Sequence, residues 1–194
     1  PGDFFGHLYE NDGFGHFTER RLNINFIWNT SHTHKLVQIA DYNHDGYNDI
    51  FLLKNNTTGY NIIVFKNLQN ETFDKQKVLT CDDVEDYLIG DLNNDGFADL
   101  LYKKRHASSL FWMKNNGDET FGAPVKISKN DDVDEFSISD FNNDGNQDIF
   151  TKHFNYNIEN DNLSILFNDG NGNFTQAIFN FPHFDEWNHK GLLV

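Results

Sequence analysis

Three nine-residue segments of the chain place acidic and amide side chains at alternating positions. They are loop 1 (residues 41–49), loop 2 (91–99) and loop 3 (140–148), each with the pattern D-x-N-x-D-G-x-x-D, and they begin 50 and 49 residues apart. Oxygen-bearing side chains at positions 1, 3 and 5 can converge on one point, and glycine at position 6 permits the sharp turn that this requires. Three carboxylates this close would repel one another without a cation. The pattern therefore predicts one metal site in each loop.

The expected ligands are side-chain oxygens at loop positions 1, 3, 5 and 9 and the backbone carbonyl at position 7. They are Asp41, Asn43, Asp45, Tyr47 (carbonyl) and Asp49 in loop 1; Asp91, Asn93, Asp95, Phe97 (carbonyl) and Asp99 in loop 2; and Asp140, Asn142, Asp144, Asn146 (carbonyl) and Asp148 in loop 3. The absence of Cys and His from these positions disfavours zinc and copper. Because magnesium takes fewer protein ligands and more water, we expect Ca²⁺ at all three sites.

Acidic loops of this kind have two other interpretations. An EF-hand requires a glutamate at position 12 and a helix on each side, but position 12 is Leu52, Tyr102 or Thr151 and the flanking residues favour strands. Asx-rich turns that bind no metal are the remaining alternative.

The segments around the loops indicate the elements that must position them. A second motif, N-x-G-x-x-x-F, occurs in phase with the loops at 11–17, 115–121 and 168–174, with a degraded copy at 67–73. Between the two motifs lie apolar runs of four to five residues, rich in Ile, Phe, Leu and Val and bounded by Asn, Asp and Gly. Such runs favour strands and hairpins, and a period of about 50 residues is typical of a propeller blade. The sequence predicts an all-β fold, a β-propeller built of four-stranded meander blades with strands A to D.

The repeat also predicts how the chain is divided. We expect a single β-propeller region over residues 1–194, with a partial blade at 1–34, blades at 35–85, 86–134 and 135–189, and the first strand of a further blade at 190–194. The favoured interpretation is a fragment of a larger propeller, completed by its remaining blades. The alternative is a small closed ring of four blades, in which Leu193 would pair with residues 3–9.

These residues resemble a known family. An acidic loop after a strand, followed by N-x-G-x-x-x-F, is similar to the FG-GAP/VCBS repeat, and residues 121–124 read Phe-Gly-Ala-Pro. Such repeats build the integrin-α-type β-propeller, several fungal lectins and many secreted bacterial proteins. The resemblance implies calcium-binding blades in a secreted or cell-surface protein.

A candidate ligand-binding face lies opposite the acidic loops. In a meander, the A–B and C–D connections share one end of the blade, so the B–C and D–A connections lie at the other. Variable connections on a rigid scaffold are where recognition usually occurs. The residues singled out there are Trp28, His32, His34 and Trp187. Inter-blade packing is the alternative for the two tryptophans, and a solvated loop position for the histidines.

Composition restricts the class of function. A net charge of −15 argues against nucleic-acid binding, and no apolar run is long enough to span a membrane. The sequence contains no nucleophile elbow, phosphate loop or His/Cys metal constellation. We expect a non-catalytic extracellular binding or adhesion module that recognises a glycan or a protein. The alternatives are the propeller domain of a secreted carbohydrate-active enzyme, such as a polysaccharide lyase, and a structural element of a large surface protein.

Overall fold

All regular structure in the described part of the chain is β-structure. The computed structural model describes residues 4–26, 37–56, 59–69, 72–79, 81, 83–128, 132–153 and 160–182. These residues form fourteen strands and no helix. Within the same ranges, no segment forms a helix that could cross a membrane.

The strands form one hairpin and three four-stranded sheets. The N-terminal hairpin pairs β1 (Phe4–Asn11) with β2 (Phe17–Phe26). Blade 1 contains β3 (Val37–Ala40), β4 (Asp49–Asn56), β5 (Gly59–Asn67) and β6 (Phe73–Leu79). Blade 2 contains β7 (Val84–Gly90), β8 (Asp99–Lys104), β9 (Leu110–Met113) and β10 (Val125–Lys126). Blade 3 contains β11 (Val133–Ser139), β12 (Asp148–His153), β13 (Asn160–Asn168) and β14 (Phe174–Pro182).

Each sheet is an antiparallel meander in which the strands pair in sequence order. The sheets are separate and do not close into a barrel, so the predicted class, an all-β propeller of four-stranded meander blades, is confirmed. Whether the ring closes through Leu193 stays a prediction, because residues 183–194 lie outside the described part of the chain.

The first strands of blades 2 and 3 begin slightly before the boundaries expected at residues 86 and 135. Val84 opens β7 and Val133 opens β11, and only 0 % and 1 % of their surfaces are exposed. The strand register shifts just after each valine. A bulge inserts one extra residue into one strand of a pair. Each bulge therefore allows its strand to begin with one more buried residue.

The apolar cores lie between neighbouring sheets. Blades 1 and 2 meet over a cluster that includes Phe51, Val64, Tyr87 and Tyr102. The buried Tyr87 hydroxyl donates a hydrogen bond of 2.8 Å to the Phe51 carbonyl, so its polar end is satisfied within the junction.

The same packing is repeated on either side. Blades 2 and 3 meet over a cluster that includes Leu101, Leu110, Ile149 and Leu166. The N-terminal hairpin covers the other side of blade 1, where Leu8 and Leu22 pack against a cluster from β4 and β5. Each blade is therefore stabilised mainly by its neighbours, as expected for a repeat architecture.

Candidate calcium loops at the blade junctions

The three acidic loops share one backbone conformation. Position 4 has a left-handed φ in each loop, at 58° for His44, 55° for Asn94 and 58° for Asn143. The glycine at position 6 follows with φ values of 86–88°, a conformation that costs glycine little and other residues more. The loops are therefore three copies of one turn.

Short hydrogen bonds inside each loop hold this turn. The position 1 carboxylate accepts bonds from the amides of positions 5 and 6; in loop 1, Asp41 accepts them at 3.1 and 2.8 Å. Position 5 in turn accepts from the amide of position 7, at 3.0 Å between Asp45 and Tyr47. Loops 2 and 3 repeat both arrangements. The acidic side chains thus orient the loop backbone before any ligand is considered.

The aspartate at position 9 has a different environment. Asp49, Asp99 and Asp148 are fully buried. One oxygen accepts the amide of position 2, and the other accepts the amide of an asparagine in the C–D hairpin at 2.7–2.8 Å. Burial raises the pKa of Asp49 and raises the pKa of Asp99 to about 6. A cation bound nearby would favour the ionised form of Asp49 and Asp99.

The donor set fits calcium in its chemistry. The loop residues predicted as ligands offer only oxygen donors: carboxylates at positions 1, 5 and 9, an amide at position 3 and a carbonyl at position 7. Each carboxylate oxygen has two lone pairs, so an oxygen that accepts one backbone amide keeps capacity for a metal. In Asp99 this is the Oδ1 atom, because Oδ2 accepts both the Leu92 amide and the Trp112 indole N–H. In the described ranges, no three Asp, Glu, His or Cys side chains form a metal-holding group by themselves. Any calcium bound here would therefore depend on the amide, the carbonyl and water as well as on carboxylates.

The first asparagine of the N-x-G-x-x-x-F motif joins neighbouring blades. The buried side-chain amide of Asn115 donates to the Ala98 carbonyl in its own blade at 3.0 Å and to the Tyr42 carbonyl in blade 1 at 2.7 Å. Asn168 does the same, donating to the Gln147 carbonyl at 2.9 Å and to the Leu92 carbonyl in blade 2 at 2.7 Å. We call Asn67, Asn115 and Asn168 the hairpin asparagines. In the sequence, only the recurrence of the motif indicates that these asparagines share a role.

Neighbouring acidic loops also touch one another through position 4. The His44 Nδ1 atom lies 3.0 Å from the Gly96 carbonyl of loop 2. The side-chain amide nitrogen of Asn94 in loop 2 lies 2.5 Å from the side-chain oxygen of Asn146 in loop 3. The loops and the hairpin asparagines therefore occupy one end of the stacked blades, where neighbouring acidic loops are in contact.

The residues predicted to bind a ligand are not among those that the structure describes. Trp28, His32, His34 and Trp187 fall outside the described residues, so they stay predictions. At the end of blade 2 opposite the acidic loops, the buried Lys103 donates to the Asp134 carbonyl of blade 3 at 2.7 Å and lies 3.3 Å from Glu85. Part of this opposite end is therefore also used to join blades.

Stacked meander sheets with acidic loops at their junctions define a propeller-type repeat protein. A family model described as FG-GAP-like repeat matches residues 41–102 and 91–151, which together cover more than half of the chain. The chain belongs to the FG-GAP-like repeat family. Repeats of this family generally have a structural, non-catalytic role. No curated protein matches the chain.

We expect Asn115→Asp to destabilise the protein by about 3 kcal/mol, because it places a carboxylate against two buried carbonyl oxygens. The same change at the neighbouring exposed Asn116, whose side-chain amide donates to the Thr120 hydroxyl at 2.9 Å, should cost less than about 0.5 kcal/mol. Urea unfolding of both variants measures the difference. Equal stability of the two variants would show that the Asn115 contact between the blades contributes nothing.

Proposed function

We propose that this chain is a non-catalytic, calcium-stabilised binding module of a secreted or cell-surface protein, which recognises a glycan or a protein partner. The observation that carries the proposal is the identical conformation of the three acidic loops at consecutive blade junctions. A loop that only closed a hairpin would not need two carboxylates and an amide clustered beside a fully buried third carboxylate.

When bound, calcium supplies the positive charge that offsets the repulsion among the loop carboxylates. The residues that would hold it are those at positions 1, 3, 5, 7 and 9 of each loop. The loop conformation is already partly fixed by the protein, because Asp41, Asp91 and Asp140 orient the amides of positions 5 and 6. Extracellular modules of this kind use weak sites suited to the high calcium level outside cells.

The proposed recognition surface is the end of the blades opposite the acidic loops. The loop end repeats the same contacts in each blade, so it offers little variety for selecting a partner. The connections expected at the opposite end differ in length and sequence between blades, and the sequence predicts that they include the regions of Trp28 and Trp187. Rigid blades with variable connections suit selective binding.

The calcium loops can be tested with Asp144→Asn in loop 3. The asparagine oxygen can still accept the Asn146 amide that Asp144 accepts at 2.8 Å, while one loop charge is removed. Loop 3 is preferred because Asp95 of loop 2 is already paired with Lys114 at 3.1 Å. In EDTA we expect thermal stability close to that of the wild type, because the loss of carboxylate repulsion is offset by loss of the 2.8 Å bond that the Asn142 side chain donates to the other Asp144 oxygen.

In excess calcium, Asp144→Asn should gain less stability than the wild type; a tenfold loss of affinity corresponds to about 1.4 kcal/mol. The matched control is Asp74→Asn, which removes an exposed carboxylate from β6, outside the loops. It should respond to calcium as the wild type does. If both variants responded to calcium identically, Asp144 would not be a ligand.

Recognition can be tested on a glycan array and with immobilised extracellular matrix proteins, each probed in calcium and in EDTA. We expect selective binding in calcium that weakens in EDTA, since rigid blades hold the variable connections in place. Incubation with anionic polysaccharides should give no ultraviolet-absorbing unsaturated products. Formation of such products would show that the chain is a polysaccharide lyase domain and not a non-catalytic binding module. Absence of any selective binding would favour a purely structural role.

A further inference from the structure

One position beside the acidic loops differs in charge from blade to blade. It is the residue directly before each hairpin asparagine: Lys66 in blade 1, Lys114 in blade 2 and Phe167 in blade 3. The backbone amide of each hairpin asparagine is bonded to the position 9 aspartate of the same blade. A lysine at this position therefore brings a positive charge, fixed to the chain, close to the acidic loop of its own blade.

In blade 2 this positive charge lies on the loop itself. The Lys114 ammonium is 3.1 Å from the Oδ2 atom of Asp95, the carboxylate at position 5 of loop 2. In loops 1 and 3 the same oxygen accepts a hydrogen bond from the position 3 amide, at 3.1 and 2.8 Å. The corresponding nitrogen of Asn93 lies near Asp95 but makes no hydrogen bond of ordinary geometry. Lys114 thus takes a place that an amide of the loop holds elsewhere.

In blade 1 the lysine is held by an acid from the neighbouring blade. Lys66 forms an ion pair with Glu119, which belongs to the C–D hairpin of blade 2. Glu119 is also hydrogen-bonded to the side chain of Asn43, at position 3 of loop 1. The carboxylate from blade 2 therefore balances the lysine charge beside loop 1, and the position 5 carboxylate of that loop keeps its bond from Asn43.

Blade 3 carries neither the lysine nor the acid. Phe167 takes the place of the lysine, so the C–D hairpin brings no positive charge to loop 3. At the position of Glu119, blade 3 has Gly172, with a φ of 78°, and a Cβ added there would clash with the Trp112 ring. Blade 3 therefore offers no acid at this position that could draw Lys114 away from loop 2.

We propose that Lys114 competes with calcium for the carboxylate of Asp95, so that loop 2 fills at a higher calcium concentration than loops 1 and 3. This inference rests on the proposed calcium sites and adds the order in which they fill. The ammonium group must leave Asp95 before that carboxylate can bind the ion, and it repels a divalent cation nearby. Since the Lys114 side chain is 50 % exposed, the ion pair is weak and lowers the affinity of loop 2 without abolishing binding.

A calcium titration of the full chain, followed by two-dimensional nitrogen–proton NMR, measures each loop separately. The position 6 glycines, Gly46, Gly96 and Gly145, each donate their amide to the position 1 carboxylate of their own loop. Their amide signals therefore report calcium binding loop by loop. We call the calcium concentration at half of the total shift the midpoint, and in the wild type we expect the Gly96 midpoint to be the highest of the three.

The decisive variant is Lys114→Met, which removes the charge and keeps a side chain of similar length. It should lower the Gly96 midpoint by about fivefold, the upper end for an exposed ion pair, and leave the other two midpoints unchanged. The matched control is Lys152→Met, which removes a lysine paired with Asp134 at 3.4 Å, outside the acidic loops. It should change none of the midpoints, although it alters the net charge equally.

The role of Glu119 is tested with Glu119→Gln, which leaves Lys66 free to turn toward the carboxylates of loop 1. The Gly46 midpoint should rise in this variant and should fall again when Lys66→Met is added. A midpoint that stays high in the double variant would show that Glu119 does not act through Lys66, and would overturn this part of the proposal. The spectra themselves establish that each variant is folded.

Two kinds of failure can be told apart. A Gly96 midpoint that Lys114→Met does not lower, or that Lys152→Met lowers equally, overturns the competition by Lys114 and leaves the calcium sites in place. If none of the three glycine amides responded to calcium up to about 10 mM, well above the range of extracellular modules, the proposed calcium sites would themselves be wrong, and the order of filling with them.

Discussion

The structure depends on a buried aspartate that closes each acidic loop. Asp49, Asp99 and Asp148 have no exposed surface, and each accepts one amide from its own loop and one from the C–D hairpin of its blade. A buried carboxylate is costly unless it is fully hydrogen-bonded or paired with positive charge. These bonds fix the A–B loop against the C–D hairpin, and so they place the hairpin asparagine against the neighbouring blade.

The blade junctions follow from that arrangement. Asn115 and Asn168 reach the position 2 carbonyls of the preceding loops because the carboxylates of Asp99 and Asp148 hold their backbones in place. The apolar clusters between the sheets then supply the bulk of the packing, while the polar bonds at the loop end fix how one blade lies on the next. A loop that binds calcium would thus stabilise the junction as well as its own turn, and would leave the opposite ends of the blades to vary.

Local patterns in the sequence were enough to predict the meander blades and the acidic loops. Short apolar runs bounded by Asn, Asp and Gly identify strands, and two motifs at one period identify blades. The inter-blade role of Asn115 and Asn168 could not be predicted in this way, since their carbonyl partners lie 73 and 76 residues away. The burial of Asp99 was also hidden, because its second amide partner belongs to Asn115 in a separate motif. Likewise, Val84 and Val133 extend their strands through bulges that no periodic pattern indicates.

The most direct test of this account is the number and location of calcium ions bound per chain. Metal analysis after equilibrium dialysis gives the number, and anomalous scattering from crystals grown in calcium gives the positions. The account predicts three ions, one in each acidic loop, with side-chain oxygens at about 2.3–2.6 Å. Fewer than two ions in calcium-replete protein, or ions bound away from the loops, would contradict it and leave the acidic loops as hydrogen-bonded turns that join the blades without metal.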